Sequence, residues 1–151
     1  MAQKFYKVGP DVAIEASVLG LNSAAFAVAD PVTVDANGFL IVATAGDRVL
    51  GFSVDAVTMA SDNQTVAKVK PKFIPANQGV LMQYTSDQAC TQTDVGAYAN
   101  LTGTTGAIQI DLVAGTAGQF FVKGFDPEED GTTTEVIVET AEPQALAYAQ
   151  V

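Results

Sequence analysis

Seventeen carboxylates, one thiol and no imidazole are the reactive side chains this 151-residue chain offers. Without histidine, a Ser-His-Asp triad, a Cys-His pair and a His-based metal site cannot be assembled within one chain. Paired carboxylates are the one catalytic device left. Glu135 and Glu139 qualify by sharing a strand face, with Ile137 between them. A solvated strand face is ordinarily charged, however, so these two acids need no reaction to explain them. Asp126-Pro127-Glu128-Glu129-Asp130-Gly131 places acids at positions one, three and five of a calcium-type loop, with glycine at six. Position twelve, where a helical calcium hand needs a bidentate glutamate, is Ile137. The simpler reading is a solvated acidic turn. Gly103-Thr104-Thr105-Gly106 lacks the following Lys-Ser/Thr of a phosphate loop, and no Gly-x-Gly-x-x-Gly opens a helix. Cys90 has no second cysteine for a disulfide and no spaced partners for zinc. The expectation is a non-enzyme with no cofactor and no metal.

Three lysines stand out among the seven basic residues. Lys68, Lys70 and Lys72 alternate with Ala67, Val69 and Pro71, which on a strand puts the three ammonium groups on one face. An edge strand guarded by lysines and Pro71 is one explanation. A basic stripe that meets an acidic protein surface, including that of a neighbouring copy, is the other. The charge distribution gives it something to meet. Net charge is −10, and residues 1–75 hold seven acids against six bases. Residues 76–151 hold ten acids against Lys123 alone. So acidic a surface repels phosphate, and direct nucleic-acid binding is not expected.

The elements that position these groups read as strands. Val32–Val34 and Phe39–Thr44 flank Asp35-Ala36-Asn37-Gly38, and Asn-Gly between apolar runs is a hairpin signal because both residues tolerate positive φ. Further strands are expected at 48–54, 65–70, 80–85, 108–113, 119–125 and 134–139. That makes about eight, separated by Gly, Asn and Asp turns, as in a sandwich or small barrel. Helix is expected only over Asp11–Leu21 and for a turn or two near Thr93–Asn100. The fold class is therefore all-β, a single small barrel or sandwich with little helix. Residues 1–31 read as an N-terminal arm or extension and 32–151 as the body with a short C-terminal tail. Phe5 and Tyr6 are adjacent aromatics that an exposed end would not ordinarily carry, and they either pack on the body or reach a neighbour. The uncharged stretch around Leu146 and Tyr148 suits a second short arm. Lys7, Pro10, Asp11 and Glu15 break any signal-peptide core, and the most apolar uncharged run, residues 16–29, is too short to span a membrane. No membrane partner is expected.

Asp35–Phe52, Val66–Pro75, Thr93–Leu101, Gly118–Pro127 and Glu135–Val138 together resemble the head decoration (capsid cement) proteins of tailed bacteriophages. The likeness spans about residues 30–140 and lies in turn spacing, the Val95-Gly96 step and the Gly124-Phe125-Asp126-Pro127 corner. The resemblance implies a barrel or tulip-like domain on the outer surface of the virion capsid, cementing neighbouring major capsid protein subunits. It also implies terminal arms, contacts between copies of the chain with a trimer favoured, and no enzyme chemistry. Phe5, Tyr6, Lys68, Lys70, Lys72, Leu146 and Tyr148 are the candidate contact residues. The competing reading is a glycan-binding or adhesin-like module. It is weakened by the absence of Trp but kept open by Tyr84, Tyr98 and Tyr148 as sugar-stacking candidates.

Overall fold

A computed structural model describes residues 5–8, 18–76, 81–115 and 118–141, with the backbone alone for 5–8 and 113–115. The described residues form twelve strands in three sheets and three short helical turns. The fold is an all-β sandwich, with no closed barrel.

The largest sheet has six strands, in the order β1 (Phe5–Val8), β8 (Leu81–Thr85), β12 (Glu135–Thr140), β11 (Phe120–Gly124), β9 (Tyr98–Thr102), β10 (Gln109–Gly115). All its strand pairings are antiparallel. Its burial alternates residue by residue, as period-two side-chain placement requires. Met82, Tyr84, Val136, Val138, Phe120, Val122, Ala99, Leu101, Ile110 and Leu112 point into one core. The sheet curls until Ser86, just past β8, bridges to Ile110 of β10.

The second sheet runs β4 (Leu40–Val42), β3 (Pro31–Val34), β5 (Gly51–Ser53), β7 (Phe73–Pro75). It is the middle layer, because its two faces feed different cores. Phe52 enters the core under the six-stranded sheet, stacking on Tyr84 at 5.2 Å. Val32, Leu40 and Phe73 enter a second core with Phe26 and Met59. A two-stranded ribbon of β2 (Ala25–Phe26) and β6 (Val57–Thr58) lies on that outer side and contributes Phe26. Strands covered on both faces read as continuous apolar runs, which is what Leu40-Ile41-Val42-Ala43 is. Gly51 is forced by close approach, since a Cβ there would strike the Ile74 carbonyl and the Phe73 ring.

Three buried polar ties lock the six-stranded sheet to the middle layer. The Tyr84 hydroxyl donates to the Ala29 carbonyl at 2.6 Å. Asp30, fully buried, accepts from the Ala27 and Gly106 amides at 2.8 and 2.9 Å. The Gln119 amide, ahead of β11, donates to the Thr44 and Asp47 carbonyls while its oxygen accepts from Leu101 N–H at 2.8 Å. A buried polar group left without a partner is costly, so each tie fixes how the layers meet.

The Asn-Gly hairpin forms as expected between β3 and β4, with Gly38 at φ +85°. Asp35 closes it by accepting the Asn37 and Phe39 amides through Oδ1 at 2.8 and 3.0 Å. The strand expected at 65–70 is not there. Residues Asn63–Ala67 make a single π-turn, Lys68 ends it at φ +56°, and the chain runs as an exposed loop to β7. The cause is Asn63, whose fully buried side chain competes for the backbone. Its Nδ2 donates to the Gly20 and Val69 carbonyls at 2.8 and 3.0 Å, and its Oδ1 accepts from Val69 N–H at 2.8 Å. The helix expected over Asp11–Leu21 fails in its described part, where Gly20 bridges to Leu40. Near Thr93 there is one 3-10 turn, Gln92–Asp94, and then β9 in place of further helix.

Candidate functional site

The alternation that buries one face of the six-stranded sheet turns a second set of side chains outward. Across β12, β11 and β9 the register puts Glu139 opposite Phe121 and Phe121 opposite Tyr98. The two rings stack at 4.3 Å with their planes 32° apart. A bulge between Val122 and Gly124 re-aims Lys123, whose ammonium lies 3.7 Å from the Glu139 carboxylate. Val95, 38% exposed, joins Phe121 and Lys123 in lining a hollow of about 330 Å³. Farther along β12, Glu135 accepts from the Gln83 amide at 2.9 Å, and Ile137 lies opposite Gln83. Each charge on this face has a polar neighbour, while Phe121, Tyr98, Ile137 and Val95 are covered only in part. Partly exposed aromatic side chains are enriched at protein interfaces, which makes this face a candidate contact surface.

A second surface is the loop that replaces the expected strand. Lys68, Lys70 and Lys72 are all exposed, but they follow an irregular path and do not share a strand face. Lys68 folds back, donating from Nζ to the Gln64 carbonyl at 2.9 Å. Among the described residues, neither the Lys70 nor the Lys72 ammonium has a hydrogen-bond or ion-pair partner. Ahead of them in the same loop stand Val66 and Val69, 72% and 44% exposed. The loop is rigidly held: besides the Asn63 bonds, Asn22 and Gln64 exchange two backbone-to-side-chain hydrogen bonds at 3.1 and 2.7 Å.

The acidic turn does not gather its carboxylates. Asp126 Oδ1 caps the Pro127–Glu129 turn by accepting the Glu128 amide at 3.1 Å, and Asp130 Oδ1 accepts the Gln92 amide at 3.0 Å. Among the described residues, no group of three or more acidic or sulfur ligands converges on a metal position. The turn borders a hollow of about 530 Å³ with Phe125 and Ile137 in its wall and Asp126, Glu129 and Glu135 around it.

Of the candidate contact residues, Phe5 and Tyr6 lie on β1, paired with Tyr84 and Gln83 at the edge of the large sheet. Leu146 and Tyr148 lie outside the described residues. Tyr84 cannot stack on a sugar, because it is fully buried, while Tyr98 already stacks on Phe121. Sequence reasoning missed the outward Phe121 and Val95, and singled out Tyr98 only as a sugar-stacking candidate. The signal was the doublet Phe120-Phe121, since adjacent residues of a strand cannot both enter the core. No helix among the described residues is long and apolar enough to cross a membrane. No protein-family model, curated protein or solved structure matches this chain.

Proposed function

We propose that this chain is a structural virion protein that binds the outer surface of a tailed-phage capsid and cements neighbouring major capsid protein subunits. The observation that carries the reading is the outer face of the six-stranded sheet, where Tyr98, Phe121, Val95 and Ile137 sit among paired charges on a rigid scaffold. A rigid face loses little conformational freedom on docking. The acidic balance and the sequence resemblance point the same way. The physics of the role is avidity: modest contacts across subunit seams must break together, and a protein that binds only the assembled shell stabilises it by mass action.

The test is co-sedimentation of purified protein with shells stripped of their surface proteins. The wild-type chain pellets in a fixed ratio to capsid subunits. Phe121→Glu, which buries a charge at the contact, weakens binding by about a hundredfold while leaving circular dichroism unchanged. Failure of the wild-type chain to pellet, together with specific hits on a glycan array, would replace this reading by the carbohydrate-binding one.

A further inference from the structure

The exposed loop and the acidic turn are complementary in chemistry. On one side, the loop that Asn63 pins in place presents Val66 and Val69 as apolar tips, with Lys70 and Lys72 beside them. On the other, the hollow beside the acidic turn has Phe125 and Ile137 in its wall and the carboxylates of Asp126, Glu129 and Glu135 around it. Single exposed valines are ordinary on a protein surface. Two on one stapled loop, flanked by lysines that no described acid neutralises, are a preformed plug. The turn is equally fixed: Gly131 N–H donates to the Cys90 carbonyl at 2.7 Å, and Thr132 Oγ1 to the Glu129 carbonyl at 2.9 Å.

We infer that the Val66–Lys72 loop of one copy docks into the Phe125/Ile137 hollow beside the Asp126–Asp130 turn of a second copy. Charge complementarity selects this occupant, because 76–151 carry ten acids against one base and 1–75 hold the other six bases. The contact uses different surfaces on the two partners, so repeating it generates a ring if the rotation closes. Exposed lysine–carboxylate pairs contribute little each, and the valines entering the apolar wall carry most of the attraction. The inference does not depend on the capsid reading, because purified protein alone tests it.

The experiment measures mass in solution by sedimentation equilibrium over a range of protein concentration and salt. The wild-type chain forms a discrete multiple of 15.6 kDa that weakens as salt rises. Lys70→Glu with Lys72→Glu sets acid against acid, and Glu128→Lys with Glu129→Lys sets base against base. Each double variant associates about a hundredfold more weakly than wild type while keeping its melting temperature. Mixed together, the two variants recover an assembly, because the intact loop of one meets the intact hollow of the other. Val66→Ser with Val69→Ser weakens association without altering charge. A wild-type chain that stays monomeric, or a mixture of charge variants that does, overturns the inference. So does an oligomer whose mass neither charge variant changes.

Discussion

Cys90 shows how much a single buried side chain can organise without reacting. Its sulfur is fully buried, 3.5 Å from the Ser86 hydroxyl. Its amide donates to the Thr133 carbonyl and its carbonyl accepts from Gly131, so the residue clamps the base of the acidic turn. Burial pushes the thiol above its ordinary value of 9.0; the Ser86 hydrogen bond opposes this, and the Asp94 carboxylate adds to it. The unfolded chain therefore gives up the thiol proton at lower pH than the folded one. The thiol leaves stability unaffected below about pH 9, where both states are protonated. Above that the thiol destabilises the fold increasingly, and the loss levels off once the folded thiol ionises too. Two measurements follow from one cause. Urea denaturation shows stability falling as pH rises above about 9 in the wild-type chain more than in Cys90→Ala, and a disulfide reagent at pH 8 labels the native thiol far more slowly than the denatured one. Equal labelling rates would mean the sulfur is accessible. At this scale the sequence spoke clearly about what Cys90 could not be, since disulfide and zinc both need partners. Its clamping role rests on Thr133 and Gly131, more than forty residues away, and no spacing rule reaches that far.

Among the elements, legibility follows how local the cause is. The β3–β4 hairpin was readable because Gly38 takes the positive φ the turn needs and Asp35 needs only its next four residues to close it. β10, β11 and β12 were readable from period-two alternation over five or more residues. β2 and β6 have two residues each, too few for any period to register. The misread segment is the instructive one. Thr65–Lys70 alternates as cleanly as a strand, yet Val66 has no layer to pack on and no strand pairs with the segment. What decides is Asn63, outside the alternating window, with bonds to Gly20 and Val69 that close the loop from within. Asn63→Ala leaves those buried groups without partners and costs about 2–4 kcal/mol, measured by urea denaturation. Because the loss is local, trypsin then cuts after Lys68 and Lys72 in native buffer, where the wild-type chain resists. A variant with unchanged stability and unchanged digestion would show that the π-turn holds itself without Asn63.

At the scale of the molecule, the arrangement of layers makes two cores behave as one. The middle sheet sends Phe52 into the first core and Phe73 into the second from adjacent strands, with Phe73 opposite Ser53, next in chain to Phe52. The Tyr84, Asp30 and Gln119 ties run from the large sheet or its loops into the segments that begin and end the middle strands. Neither core can be opened without exposing a face of the shared sheet. In the sequence Leu40-Ile41-Val42-Ala43 is an unbroken apolar run, which suits a strand covered on both sides. The sequence did not say by what, because one cover is a short two-stranded ribbon and the other a six-stranded sheet with five of its strands from the far half of the chain. The consequence is a single cooperative transition. Phe52→Ala and Phe73→Ala each leave a cavity and cost about 3–5 kcal/mol. With no tryptophan in the chain, the emission of its four tyrosines includes that of Tyr84 in the first core and of Tyr98 on the large sheet, while far-ultraviolet circular dichroism reports all three sheets. Phe73→Ala, although its cavity is in the second core, lowers the tyrosine midpoint by as much as the dichroism midpoint, and the two curves superimpose. A tyrosine transition left at its wild-type temperature while the dichroism shifts would mean that the outer ribbon and its core melt separately. The plug-and-hollow contact would then join a loop on the less stable unit to a turn on the more stable one, and association would disappear below the temperature at which the large sheet unfolds.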